Sequence, residues 1–243
     1  MNNGYIAVLD SGIGGFSFIA EAARLIKNEK FLYFGDNKNA PYGNKTQEEL
    51  YLLTQKNLAI ILKYNVKALV IACNTLSLSV MPALRQLLKI PIFGVFPPVN
   101  KKSGKTALFA TPVTCACFAE EKGVKVFPLE RLAADIEKNK SNLAAVDIKK
   151  HICKAADAFA PDTVILGCTH YYFVKNQFID HFCPQNIYSG ESVAAKKLYR
   201  YLVLSGKLSK SKSFTIDFIG ENAEENFNFY NLVVKDTVFN NNN

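Results

Sequence analysis

Two short segments of the chain match each other in chemistry. Leu69-Val70-Ile71-Ala72-Cys73-Asn74-Thr75 and Val164-Ile165-Leu166-Gly167-Cys168-Thr169-His170 each run an apolar stretch into a cysteine and then into hydrogen-bonding residues. A buried parallel strand reads as such an apolar run, and open α/β sheets bind ligands beyond the carboxyl ends of their strands. Two thiols presented alike, 95 residues apart, suit one acid–base group on each side of a shared substrate. Racemisation is the reaction that needs matched groups on opposite faces of one carbon. A thiol of ordinary pKa is only a few per cent thiolate at neutral pH, so both positions need tuning. Each cysteine is expected just before a helix, a location that lowers a thiol pKa. Asp10 and His170 are the candidate tuners or proton relays, and Asn74-Thr75 and Thr169-His170 supply donors for a carboxylate.

Asp10-Ser11-Gly12-Ile13-Gly14-Gly15 lies where a first strand gives way to a helix. Its glycines predict a tight turn whose exposed amides form an anion site at a positive helix end. A dinucleotide fingerprint is the competing reading, with Asp36 near the ribose position. Ser17 stands where that fingerprint needs its third glycine. The polar loop Gly35–Gly43, with Tyr42 held between Pro41 and Gly43, reads as a substrate-contacting connection.

These residues need elements to hold them. Strand-like runs at 5–9, 31–34, 68–72, 92–95, 106–109, 124–127 and 163–166 alternate with helical stretches near 16–28, 46–64, 76–88, 143–158 and 193–204, and another helix begins at about Val113. This alternation predicts parallel sheets covered by helices. Thr46 with Glu49 forms a capping-box signature. Ala7-Val8-Leu9-Asp10-Ser11 resembles Ala107-Leu108-Phe109-Ala110-Thr111 at an offset of 100, and the cysteine segments repeat at 95. One supersecondary design used twice explains both. The Pro97-Pro98 and Lys101–Lys105 stretch is the expected boundary, with a second soft spot at 205–213 and a disordered tail at Asn240–Asn243.

Composition narrows the class. With 243 residues, 49% hydrophobic and 21% charged, the chain has apolar material for a real core. No apolar run approaches a membrane span, and Asp10 interrupts the first apolar stretch, which argues against a signal peptide. The expected location is the cytoplasm. The six cysteines contain no Cys-x-x-Cys pair, which argues against a disulfide framework or structural zinc, so no metal is expected. The net charge of +8 concentrates only at Lys196, Lys197, Arg200, Lys207, Lys210 and Lys212. That segment reads first as a solvated helix face and loop. A nucleic-acid-binding protein using 196–212 is the alternative of a different class.

Asp-Ser-Gly-x-Gly-Gly at 10–15, Pro41-Tyr42-Gly43, Cys73-Asn74-Thr75, Ala110-Thr111-Pro112-Val113-Thr114 and Gly167-Cys168-Thr169-His170-Tyr171 together resemble the glutamate racemases of the cofactor-independent Asp/Glu racemase superfamily. The resemblance covers residues 5–192. It implies an α/β fold of two pseudo-symmetric domains with mostly parallel sheets and the site in the cleft between them. The first domain would hold 1–96 and about 206–243, the second about 97–205. It implies Cys73 as the base for D-glutamate, assisted by Asp10, and Cys168 as the base for L-glutamate, assisted by His170. Ser11, Pro41, Tyr42, Gly43, Asn74, Thr75, Thr111, Thr114 and Thr169 match substrate-contacting positions. Glu130, one residue early for the family's auxiliary carboxylate, is carried over with them. The resemblance also implies D-glutamate supply for peptidoglycan, no cofactor and a homodimer, with no membrane or nucleic-acid partner. A racemase for another amino acid, such as aspartate, would use the same thiols. Phe96-Pro97-Pro98 replaces the family's Glu-Pro-Gly, Tyr172 replaces a customary Pro, and Tyr188-Ser189-Gly190 stands where Asp-Ser-Gly is common.

Overall fold

A computed structural model describes residues 4–210 and 213–235. Lys212 and the Asn240–Asn243 tail lie outside the described residues. The chain runs β1 (Tyr5–Asp10), α1 (Phe16–Leu25), β2 (Lys30–Gly35), α2 (Gln47–Ile61), β3 (Val66–Ile71), α3 (Asn74–Ser79), α4 (Met81–Leu87) and β4 (Ile92–Gly94). It continues through β5 (Thr106–Ala110), α5 (Pro112–Ala116), β6 (Val124–Pro128), α6 (Leu132–Lys138), α7 (Lys154–Phe159), β7 (Thr163–Gly167), α8 (Lys175–Phe182) and β8 (Asn186–Ser189). It ends with α9 (Glu191–Leu204), β9 (Thr215–Phe218) and α10 (Ala223–Phe229).

The strands form two sheets in which every pairing is parallel, ordered β4-β3-β1-β2-β9 and β6-β5-β7-β8. Read backwards, the second sheet is β8-β7-β5-β6, the order of the first with β9 omitted. The duplication extends to register. Ala7 pairs with Leu69 in the first sheet, and Ala107 pairs with Val164 in the second. Those partners are displaced by 100 and 95 residues, the two offsets at which the sequence repeats. The expected α/β class with mostly parallel sheets is therefore the observed one.

Alternation along the strands divides the core. Ile6, Val8 and Val70 face the same apolar cluster as Ala107, Phe109 and Val164, so one continuous core joins the two sheets. Ala7, Leu9, Leu69 and Ile71 face the other side of the first sheet, with Leu50 and Leu58 of α2. Both faces are apolar because helices cover both, as in parallel sheets generally. Helix α2 begins with the expected reciprocal cap: the Glu49 amide donates to Thr46 Oγ1 at 3.2 Å, and the Thr46 amide to Glu49 Oε2 at 2.8 Å.

Two helical expectations change. The stretch 76–88 is two helices divided at Val80, where Pro82 in the first turn of α4 cannot continue the hydrogen-bond ladder. The stretch 143–158 is two 3-10 turns, at Leu143–Ala145 and Ile148–Lys150, before the short α7. There Val146 and Ile148 turn into the main apolar core, while the Asp147 side chain accepts from the Lys149 amide and starts a new turn. Helices α6, α8 and α10 and strands β8 and β9 were not anticipated.

The returning strand β9 is held by one buried carboxylate. Glu29 Oε2 lies 2.5 Å from Lys67 Nζ, Oε1 accepts from the Ser209 amide at 2.7 Å, and the Glu29 carbonyl accepts from the Thr215 amide at 3.1 Å. Side chains of the pair are 8% and 1% exposed. Removing one partner of such a pair leaves an uncompensated buried charge. Lys67→Met is expected to lower unfolding free energy by about 3–5 kcal/mol, measured by chemical denaturation.

Candidate active site

Strand topology brings the carboxyl ends of β1, β3, β5 and β7 together. Asp10 ends β1, Cys73 follows β3, Thr111 follows β5 and Cys168 follows β7. Ser11, Tyr42, Cys73, Thr75, Thr111, Cys168, Thr169 and His170 line a single cavity, together with Pro41, Gly43, Asn74 and Ala133. Thr114 joins through hydrogen bonds. All but one of the expected substrate-contacting residues are buried, the half-buried Pro41 being the exception. The cavity has a volume of about 10 Å³, room for about one water. A larger cavity of about 440 Å³, lined by Lys140, Glu225 and Phe229, lies against α10 and includes none of these residues.

Glycines set the closeness of this approach. A Cβ at Gly12 would overlap the Glu137 carboxylate, and one at Gly43 would overlap the Thr111 side chain. Each glycine follows a strand of the first sheet and meets a residue from the part of the chain that carries the second sheet.

The two thiols have unlike surroundings. Cys73 caps the six-residue α3, yet its pKa is raised rather than lowered. Burial is the largest cause, the Asp10 carboxylate adds to it, and hydrogen bonding at the Leu76 backbone and at Ser11 only partly opposes. The expected helix-terminus effect is thus outweighed by desolvation. Asp10 is fully buried, and burial pushes its own carboxyl up, against the pull of His170 and the Gly12 amide. Its oxygens accept from the Gly12 amide at 3.0 Å and from Thr169 Oγ1 at 3.3 Å.

Cys168 is followed by a 3-10 helix, Thr169–Val174, rather than an α-helix. Its sulfur lies 3.7 Å from His170 Nδ1. The other ring nitrogen, Nε2, lies 2.7 Å from Glu137 Oε1. Burial works against a charged imidazole, but the Cys168 sulfur and the Glu137 carboxylate outweigh it, so the His170 pKa is raised well above the ordinary value. Burial likewise resists ionisation of Glu137. His170, the Ile13 amide and Lys140 prevail and hold its carboxyl below the usual range.

Glu137 is the residue missed in the sequence. Glu130 is exposed, and its link to the neighbourhood is a backbone carbonyl that accepts from Asn44 Nδ2 at 3.2 Å. The carboxylate against His170 comes instead from α6. A weak signal was present: Leu132, Ala133 and Ile136 place an apolar face on that helix, but a seven-residue helix without a cap gives little periodicity to read.

The glycine-rich turn also differs from expectation. Its amides do not wait for an outside anion. The Gly12 amide is bound to Asp10, and the Ile13 amide donates to Glu137 Oε1 at 2.7 Å. Asp36 is equally occupied, accepting from Tyr42 Oη, Asn39 Nδ2 and Asn57 Nδ2. Neither a pyrophosphate nor a ribose finds its donors or acceptor here, which removes the dinucleotide reading. The Tyr42 hydroxyl is spent in the same network, so its contribution to the cavity wall is the ring.

Carboxylate donors remain. Thr75, Thr111 and Thr114 place their hydroxyls in a buried triangle with edges of 3.1, 3.3 and 3.2 Å. Asn74 Nδ2 donates to the Val95 carbonyl at 3.3 Å, while its Oδ1 has no hydrogen-bond partner among the described residues. No group of three or more His, Cys, Asp or Glu residues among the described residues is placed to hold a metal ion. The basic segment lies elsewhere: Lys196, Lys197 and Arg200 are exposed on α9, and Lys207 donates to Tyr201 Oη at 2.9 Å. Among the described residues no helix is long and apolar enough to cross a membrane.

No family model matches the chain. It is 38% identical to a glutamate racemase of Clostridium novyi (strain NT), over 71% of this chain and 73% of that one. It is 33% identical to a glutamate racemase of Clostridium botulinum (strain Alaska E43 / Type E3), over 90% and 92%. Among solved structures it resembles a glutamate racemase isoform from Bacillus anthracis, with a TM-score of 0.74 and 26% identity over 89% of this chain and 88% of that one. It also resembles the Thermus thermophilus glutamate racemase bound to β-chloro-D-alanine, with a TM-score of 0.74 and 27% identity over 94% and 93%. With two strand-end thiols on one cavity and relatives of this identity along most of its length, the chain belongs to the glutamate racemase family.

Proposed function

We propose that the chain interconverts L- and D-glutamate by proton transfer between two cysteines, supplying D-glutamate for peptidoglycan. One observation carries the proposal: Cys73 and Cys168 stand at equivalent strand ends of a duplicated unit and line the same cavity. Family membership supplies the substrate.

In this reading one cysteine, as thiolate, takes the α-proton, breaking the C–H bond and forming S–H. The other, as thiol, delivers its proton to the opposite face. Cys73 is the base for D-glutamate with Asp10 beside it, and Cys168 the base for L-glutamate with His170 beside it. Glu137 orients His170 and sustains its charge. The carbanion is stabilised by preorganised donors on the α-carboxylate, for which the Thr75–Thr111–Thr114 triangle, Thr169, Ser11 and Asn74 are the candidates. Pro41, Tyr42 and Gly43 wall the site. A cavity with room for one water cannot admit glutamate, so the segments meeting at Gly12–Glu137 and Gly43–Thr111 must part for entry and close again to exclude water. The family resemblance alone supports the homodimer, the cytoplasmic location and the absence of a nucleic-acid partner.

Circular dichroism should follow loss of optical activity from either enantiomer with no cofactor added. Deuterium should enter the α-carbon in D₂O. Cys73→Ala and Cys168→Ala are each expected to lose at least roughly 10²-fold in racemisation. Near-normal turnover in either variant would overturn the two-thiol reading.

A second prediction concerns the proton inventory. Removing the Glu137 charge withdraws a cause that raises the His170 pKa, while burial continues to lower it. Glu137→Gln should therefore shift the His170 titration, followed by NMR, to lower pH. His151 and His181, the chain's other two histidines, serve as references. An unmoved His170 titration would refute the assignment.

A further inference from the structure

Glu137 uses its two oxygens unequally. Oε1 meets His170 Nε2 and the Ile13 amide, both at 2.7 Å. Oε2 is held loosely, by Asn37 Nδ2 at 3.4 Å and by Lys140 Nζ at 4.0 Å. Lys140 is in direct contact with another carboxylate, Glu225 on α10. The lysine thus stands between a carboxylate of the proton-transfer site and a carboxylate of the helix that follows β9. The three side chains grade outward, Glu137 being 11% exposed, Lys140 27% and Glu225 37%. The 440 Å³ cavity beside them, lined by both Lys140 and Glu225, leaves the lysine room to swing from one carboxylate to the other.

We propose that Lys140 is a positioning residue shared between Glu137 and Glu225, through which helix α10 sets how firmly Glu137 holds His170. The inference rests on the racemase reading above. A chain of contacts then runs Glu225–Lys140–Glu137–His170–Cys168, from the surface of α10 to one of the two thiols.

The charges facing Glu137 decide the sign. His170 and Lys140 favour its ionised form; Asp10 and Tyr33 interact with it from the glycine-turn side. On the α10 side stand Glu225 and Glu224, with Glu221 paired to Lys38. Lys140 is the one group in this set able to shift its allegiance. Towards Glu137 it keeps the carboxylate charged; towards Glu225 it releases it.

An exposed ion pair considered alone contributes little stability, so a purely structural bridge would leave the pH dependence of turnover alone. The positioning role makes two variants move it in opposite directions. In Lys140→Met, Glu137 loses a cation and protonates more readily. The acid limb of kcat/KM for glutamate should move to higher pH by about half a unit to one unit. In Glu225→Gln, Lys140 is freed for Glu137, and the limb should move to lower pH. Lys140→Arg should restore the wild-type profile. Thermal melting, run in parallel, should fall slightly in both charge-removing variants, because both lose the same ion pair. Shifts of the same sign, or an unmoved profile in a folded Lys140→Met protein, would overturn the proposal. If Lys140→Met does not fold, Glu225→Gln decides alone: a shift to lower pH supports the role, and any other result refutes it. A wild-type chain that fails to racemise glutamate at all would overturn the racemase reading itself, and this inference with it. A racemising wild type with unresponsive variants overturns this inference only.

Discussion

A thiolate is needed in a place built to resist charge. The cavity of the two thiols is small and buried, and desolvation is the largest cause acting on Cys73, Asp10, Glu137 and His170 alike. For the first two it prevails. For the last two it is overcome, because an imidazole and a carboxylate in contact stabilise each other's charged forms. The His170–Glu137 pair is therefore the fixed electrostatic point of the site. The turn at 10–15 is folded around it, giving one amide to Glu137 and another to Asp10. Gly12 has no side chain because the Glu137 carboxylate occupies that space.

Duplication explains where the thiols are and not what they do. Equal strand order and equal register place Cys73 and Cys168 at matching ends. The residues beside them come from different sources and break the symmetry. Asp10 descends from the end of β1, whereas the corresponding position at the end of β5 is the apolar Ala110. His170 follows Cys168 by two residues, where Thr75 follows Cys73. A carboxylate acting on one sulfur and an imidazole against the other are the difference by which, in the proposed reaction, a duplicated frame treats two mirror-image substrates separately.

Much of this was legible because it is local. Apolar runs of β-branched and aliphatic residues located seven strands, the Thr46–Glu49 cap located α2, and the paired offsets anticipated a register found intact in both sheets. The cavity-lining residues were likewise legible, since strand ends in such sheets converge. What was missed is non-local or short. Glu137 matters because of residues 13 and 170, far from it along the chain. Strand β9 has only partly buried or exposed residues and is fastened by Glu29, almost two hundred residues upstream. The pKa of Cys73 was misjudged because a helix terminus can be read from sequence, while the depth of its burial cannot.

Substrate binding must change the electrostatics of the site as well as its volume. In the proposed two-thiol reaction each turnover exchanges which sulfur holds the proton, so both forms must be reached. The surroundings of the two sulfurs make those forms unequal. A negative charge on Cys73 meets burial and the Asp10 carboxylate, whereas the Cys168 sulfur lies against an imidazole that favours the protonated state. The imidazole that favours its charged form, His170, is engaged instead by the Cys168 sulfur and by Glu137. The α-ammonium group of a glutamate substrate is a cation that enters with each catalytic cycle, and Asp10 is a buried carboxylate that acts on Cys73. Pairing the two would relieve the repulsion that Asp10 imposes on the Cys73 thiolate. In the proposed reaction substrate binding would then do more than position the α-carbon: it would bring a charge that makes the two sulfurs more nearly comparable.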